Sequence, residues 1–290
     1  MVKASRTPHI RHVQGSGNGA AVEFVVKSMR CSLRDILKER RKAKRVSQLE
    51  LSLRLGVSQR HISFVESGRS NPSRALLLHW LQELEAPLTS RNNALLAAGY
   101  APEFQHTPLE SMSQASEALN HLLKSHEPLP AFVLDDLWNI RLSNKGAEWL
   151  IFTLSPWLSQ LSEPLENPNM LDLLLHPEGA LEKVTNLAEV GPVLLAQLRS
   201  ELGLQPELRP RVEALERYLQ EKLPGRSLSA QPNPILTTRF KLPQGEVAFF
   251  SMFTTFGTPH DITLASLRVE HLFPADPKTL ELVTELMGSS

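Results

Sequence analysis

SQLELSLRLGVSQRHISFVESGR, residues 47–69, is the stretch that decides how the first third of the chain folds. Ser47 is followed three residues later by Glu50, the reciprocal pattern that caps a helix N-terminus. Leu51, Ser52 and Leu55 then share one face of a helix that stops at Gly56. Ser58 opens a second helix, which buries Ile62 and Val65 and ends at Gly68. Helix, glycine turn and helix is the arrangement that lays a second helix in the DNA major groove. With Ile62 and Val65 inward, Arg60, Ser63, Phe64 and Ser67 face outward and Gln59 flanks them. Arginine suits guanine and glutamine suits adenine, each good pair giving ~1–3 kcal/mol of discrimination. Phe64 suits a thymine methyl. Gln48 and Ser58 stand at helix N-termini, where side chain and backbone N–H hold phosphate.

Working outward, Leu33, Ile36, Leu37 and Arg41 define one face of a preceding helix. Pro72 and Ser73 open a fourth, over 76–84, and residues 88–98 read as a fifth that closes at Gly99. Five short helices with tight turns make an all-α domain over 31–99. Residues 100–108 have the composition of a linker. Residues 1–30, broken by Gly15, Gly17 and Gly19, read as a flexible extension to which no function is assigned.

These residues resemble the XRE family of helix-turn-helix regulators, which includes the lambda and Cro-type repressors. The likeness runs over 33–98 and includes the cap, Gly56-Val57-Ser58 and the closing Glu66-x-Gly68-Arg69. It implies a lambda-repressor-like fold. It places Gln48, Ser58, Gln59, Arg60 and Phe64 on DNA-contacting positions, with Ser63 beside them and Arg69 on phosphate. It also implies that Glu66 is structural and paired with Arg41, while His61 flanks the core. Leu49 and Leu53 depart from the pattern, because second-helix positions that are usually polar carry leucine here.

The remainder, 109–290, has a different texture. A helix over 109–124 leads to a hairpin, 131–134 and 138–142, around Asp135-Asp136, and then to a short helix over 144–151. Residues 169–222 read as helical with breaks at Pro177, Gly191-Pro192 and Pro206. Three β-rich runs follow, 235–242, 246–256 and 262–272, and a last helix covers 277–287. That order predicts an α+β domain with one antiparallel sheet. The run 246–256 is apolar on both faces, as expected of a strand covered on both sides. Trp138 and Ile140 alternate with polar neighbours and should point inward. A sheet roofed by helices and lined with Trp, Phe, Met and Leu is the chemistry of an apolar ligand site.

This half resembles the ligand-binding domain of MmyB-like transcription regulators. The matching stretches are His126-Glu127-Pro128-x-Pro130, Trp138-Asn139, Leu175-His176-Pro177-x-Gly179, Thr255-Phe256-Gly257-Thr258-Pro259 and Phe273-Pro274-Ala275-Asp276. The likeness implies a PAS-like sheet and a small apolar ligand such as a fatty acid. Trp138, Ile140, Leu174, His176, Phe250 and Met252 are the expected ligand residues, with His176 suited to orient a head group. A filled core that serves only dimerisation is the alternative reading of the same residues.

Composition sets the outer limits. Of 290 residues, 41% are hydrophobic and 21% charged, which excludes wholesale disorder. The net charge of zero hides a split: residues 1–104 hold 17 Lys and Arg against 8 Asp and Glu, and the rest hold 14 against 23. A basic part beside an acidic one fits a chain of which one part meets a polyanion. No apolar run is long enough to span a membrane. One cysteine, Cys31, leaves neither a disulfide framework nor a thiolate metal site, and a reducing cytoplasm is the expected home. Nucleophile elbow, P-loop, dinucleotide fingerprint and HExxH helix are all missing, so no catalytic residue, metal or cofactor is expected. The expectation is a cytoplasmic, homodimeric regulator that binds double-stranded operator DNA. An enzyme carrying a DNA-binding head is the reading from a different class.

Overall fold

The structure, a computed structural model, describes residues 32–163, 165–229 and 235–288. The expected extension over 1–30 and Cys31 lie outside the described residues. Within them, the chain forms two compact units, one of residues 32–111 with 258–265, the other of 112–257 with 266–288.

The first unit holds α1 (Leu33–Ala43), α2 (Gln48–Leu55), α3 (Gln59–Glu66), α4 (Arg74–Glu83) and α5 (Leu88–Ala97). Ser32, Ser47, Ser58 and Ser73 cap the first four, each hydroxyl accepting the backbone N–H three residues on. Gly56 ends α2 in the left-handed region, at φ 65°, which favours glycine. Leu37, Leu51, Ile62, Leu77, Trp80, Leu81 and Leu95 are fully buried and converge on one core. Each buried Leu or Ile contributes ~1.5–3 kcal/mol of burial. The expected linker is tied down by one side chain. Asn92 donates to Phe104 O and accepts from the N–H groups of Glu103 and Phe104, all at 2.7–3.0 Å.

The second unit is a five-stranded antiparallel sheet with helices, the α+β architecture that the sequence predicts. Its strands are β1 (Ala131–Leu134), β2 (Ile140–Ser143), β3 (Thr237–Leu242), β4 (Gly245–Thr255) and β5 (Arg268–Pro274), in the order β2-β1-β5-β4-β3. The last strand is thus central. α6 (Ser113–Ser125) follows a short 3₁₀ turn over Leu109–Ser111, so the helix expected over 109–124 begins later. α7 (Lys145–Leu154), α8 (Met170–Leu175), α9 (Leu187–Glu201) and α10 (Arg209–Lys222) fill the connection between β2 and β3. Leu195, Leu198, Leu208, Leu215 and Leu219 pack α9 against α10 and the segment before it. α11 (Ile262–Ser266), all but its last residue assigned to the first unit, precedes β5 in the chain, and α12 (Pro277–Gly288) packs against β4 and β5.

Four expectations need correction. The run expected as a strand over 262–272 starts as α11 and becomes strand only at Arg268. Asp261 caps that turn, its carboxylate accepting Thr263 N–H at 2.8 Å and its carbonyl accepting Ala265 N–H. Trp138 lies outside the hairpin strand, in a turn, at φ 67°. Asp135 winds that turn by accepting the N–H groups of Leu137 and Asn139 at 2.9 Å. Gly191-Pro192 breaks nothing: α9 runs through both. Gly191 lets Leu219 approach to where a Cβ would stand, 2.4 Å away, and this packing outweighs the hydrogen bond that Pro192 cannot make. Finally, β4 is buried on both faces only over Val247–Ala248–Phe249. Met252 and Phe253 are 56% and 46% exposed, beyond the stretch where β3 pairs with β4.

Candidate functional site

The outward face of the first unit is set by α3. Its buried side carries Ile62 and Val65, so Gln59 and Arg60 are exposed and Ser63 and Phe64 are half-buried. The Phe64 ring is flanked by two guanidinium groups, Arg60 at 5.1 Å and Arg69 at 5.9 Å. Both are within cation–π reach, so one ring gathers two cations on this face. Ser58 caps α3 through His61 N–H at 3.2 Å and keeps its own surface exposed. Behind this face sits a charge cluster. Glu66 accepts two bonds from Arg41, Nε at 2.7 Å and Nη2 at 2.8 Å, and one from Gln48 Nε2 at 2.8 Å. Arg41 Nη1 closes the cluster on Val46 O at 2.8 Å. Burial pushes the Glu66 carboxyl up, but the Arg41 and Gln48 bonds outweigh it and hold the group below its ordinary range. Gln48, at the first turn of α2, is therefore oriented by a residue of α3. Leu49 and Leu53 are exposed on α2.

The second unit holds an open-mouthed cavity of about 600 Å³ between the sheet and α7, α8 and α9. That is within the ~300–1,000 Å³ typical of small-molecule sites. Its wall is apolar, from Phe132 on β1 through Leu150 and Leu154 on α7 to Phe240, Phe249 and Leu272. Its polar groups are few: Ser155, Gln197, Thr238, Ser251 and Glu270. Ser251 Oγ donates to Glu270 Oε1 at 2.7 Å. Desolvation pushes the half-buried Glu270 carboxyl above the ordinary carboxylate range, with the Ser251 bond and nearby Arg268 pulling the other way. At the same end Glu201 accepts from Trp138 Nε1 at 2.7 Å, Arg268 Nη1 at 3.1 Å and Gln197 Nε2 at 3.2 Å. Exposed Met252, Phe253 and Ile235 stand around the cavity and give it an apolar mouth.

Two family models match this chain. Residues 37–89 match a helix-turn-helix family, and residues 115–286, more than half of the chain, match the MmyB-like transcription regulator ligand binding domain. The chain belongs to the MmyB-like transcription regulators. It is a DNA-binding regulator with a ligand-binding domain. No curated protein matches it.

In this MmyB-like regulator, Trp138, Leu174, Phe250 and Met252 line the cavity, whereas Ile140 and His176 do not. Ile140 is packed in the core around Phe132 and Leu134. His176 stacks on Trp157 at 3.8 Å, and its Nδ1 accepts Glu178 N–H at 3.1 Å. Gln59, Arg60, Ser63 and Phe64 come together on α3, and Gln48 and Ser58 on the adjoining helix starts. The sequence reading missed Glu270, Ser251, Gln197 and Phe253. A signal for one of them exists: in Val269-Glu270-His271-Leu272 the two-residue period sets Glu270 beside apolar Leu272 on one face of β5. Among the described residues, no group of acidic, His or Cys side chains is arranged to hold a metal. No helix among them is long and apolar enough to cross a membrane.

Proposed function

We propose that the chain is a cytoplasmic, homodimeric, sequence-specific regulator whose C-terminal unit holds a small apolar ligand. Arg60 reads a base edge from the exposed start of α3, with Gln59, Ser63 and Phe64 beside it. Gln48, Ser58 and Arg69 hold phosphate. The domain limits we assign are 31–99 for DNA binding and 109–290 for ligand binding. Dimerisation is supported by the way helix-turn-helix proteins read paired half-sites about one helical turn apart.

The observation that carries the ligand reading is the cavity, 600 Å³ of apolar lining with a handful of polar groups. A domain with a filled core would have no such space. Trp138 stands at its polar end, where Glu201 fixes the indole at 2.7 Å. A ligand there shifts DNA affinity only as far as it binds one state of the protein better than another.

Native mass spectrometry of the purified protein, followed by denaturing extraction, tests the reading. The expected result is a dimer carrying a stoichiometric small-molecule adduct that is released on unfolding. A bare chain mass, with no rise in melting temperature on adding any of a panel of aliphatic acids, alcohols and amines, would overturn it.

A further inference from the structure

The connection between β4 and β5 is longer than the sheet requires. Their ladder closes on the pair Thr255–Arg268, and a hairpin between two such strands takes ~2–5 residues. Here residues 256–267 intervene, and 258–265 of them belong to the helical unit rather than to the sheet unit. Within the helical unit this excursion is fastened to the stretch expected as a linker. Asp261 and Gln105 form a parallel bridge, in which the Gln105 carbonyl accepts Ile262 N–H at 2.8 Å. The Asp261 carboxylate acts in two directions. Its Oδ1 accepts Thr263 N–H at 2.8 Å and starts α11, while its Oδ2 accepts Thr107 N–H at 3.2 Å. The linker is fastened in turn to α5. Asn92 holds Glu103 and Phe104 by three hydrogen bonds, and the Arg91 guanidinium lies over the Phe104 ring at 5.9 Å. Leu95, on the same helix as Asn92, shares a core with Ile62 and Val65, the inward residues of α3.

The strands that carry the excursion line the cavity. Phe253 and Glu270, paired in register just inside the last rung, both stand on its wall, as does Trp138. Arg268, on the last rung itself, lies against the Trp138 and Phe253 rings at 4.3 and 5.5 Å and donates to Glu201 at 3.1 Å. A ligand that favours one placement of Trp138 and Phe253 thus favours one placement of that rung, and the backbone beyond Thr255 leads from it to Asp261. Coupling between distant sites needs an element that both sites bias, and this connection starts on cavity strands and ends on the linker. We propose that Asp261 is the positioning residue that couples the ligand cavity to the helical unit, by clasping the β4–β5 connection to the linker at Thr107. The inference rests on the reading of the cavity as a ligand site and adds how its occupancy reaches the DNA-binding helices. Thr255-Phe256-Gly257-Thr258-Pro259 is then the tether between cavity and clasp.

Asp261→Asn tests the clasp without removing the helix start. The amide oxygen still accepts Thr263 N–H, while the amide nitrogen, a donor, replaces Oδ2 opposite Thr107 N–H. The full chain is titrated with a DNA duplex that the wild-type protein selects from a random-sequence library, with and without dodecanoic acid or dodecanol below their aggregation concentrations. A rise in melting temperature reports whether each probe binds. In the wild-type protein a bound probe should change duplex affinity by at least about fivefold, the low end of allosteric coupling. Asp261→Asn should bind the same probe and, without it, the same duplex as the wild-type protein does, but the effect of the probe on duplex affinity should fall below about twofold. An unchanged coupling factor in Asp261→Asn overturns the proposal, and so does a wild-type protein whose duplex affinity ignores a bound probe. Loss of probe binding and duplex binding together in Asp261→Asn also overturns it, by making Asp261 a residue of stability alone. If neither probe raises the melting temperature of the wild-type protein, the cavity reading itself falls, and the inference with it.

Discussion

Each unit of this regulator has a glutamate whose proton affinity is shifted, and the two are driven in opposite directions. Glu66 in the helical unit is met by three hydrogen bonds, two from Arg41 and one from Gln48, and its proton affinity is lowered. Glu270 in the sheet unit accepts one hydrogen bond among the described residues, from Ser251, and its proton affinity is raised. The helical unit thus satisfies its buried charge internally and turns exposed Gln59 and Arg60 outward. The sheet unit keeps a half-satisfied acid facing an apolar space. The difference teaches where each unit has chemistry to offer, one on its surface and the other inside.

The sharpest way to break the comparison is to unpair Glu66. Glu66→Ala leaves the Arg41 guanidinium buried without its carboxylate, since their side chains are only 12% and 3% exposed. Removing one partner of such a pair costs ~3–5 kcal/mol, so chemical denaturation should show a loss of that order in the unit spanning α1 to α5. A loss under about 1 kcal/mol would make the pair an ordinary surface one. The pH dependence has a definite sign. Glu66 has a folded value below its ordinary 4.5, so its contribution is present above that value and disappears as pH falls through the folded one.

The sheet unit supplies the opposite sign at a second acid. Asp136, in the turn between β1 and β2, is pushed from 3.8 to about 6, first by burial and then by Asp135. Its folded value exceeds its unfolded one, so it opposes folding increasingly as pH rises from 3.8 to about 6, and fully above that. Asp136→Asn, which keeps an acceptor for the Gln205 amide, should stabilise the unit above pH 6 by up to about 3 kcal/mol. It should do nothing below 3.8. Thermal melts at the two ends of that range check it, and a gain independent of pH would assign the effect to packing rather than charge.

The same division explains what the sequence made legible. The caps Ser47 and Ser58 and the turn at Gly56 act on residues at most five positions away, so local pattern alone outlines α2 and α3. The cavity has 27 lining residues spread from Phe132 to Leu272, and no local window contains it. The two-residue period of β5 groups Glu270 with Leu272, but α7, α8 and α9 decide which face is roofed. Errors arose where two periods give the same pattern. Ile262 and Leu264 alternate as in a strand, and only the Asp261 cap decides for a helix turn. Pro192 is tolerated inside α9 because the buried fit of Gly191 against Leu219 is a long-range fact.

On the outer face of the helical unit the expected effects are smaller and differ in kind. Arg60→Ala should relax recognition at a single base pair by ~1–3 kcal/mol while leaving the other positions of the site unchanged, as read by selection from a random-sequence library. An equal loss on all sequences would remove Arg60 from the base readers.

Arg69 offers the finest test, because it shares the Phe64 ring with Arg60 but lies beyond the end of α3, and we assign it to the DNA backbone rather than to a base. A phosphate contact releases a counterion, so its removal lowers the slope of log affinity against log salt by about one. Arg69→Ala should therefore weaken every sequence evenly and flatten that slope by about one, with the base preference of the selected site intact. A loss of preference at the position assigned to Arg60, with the slope unchanged, would mean that Arg69 acts by holding Phe64 and Arg60 in place. The two guanidinium groups on one ring make that outcome distinguishable, since the single-base effect of Arg60→Ala would then reappear in Arg69→Ala.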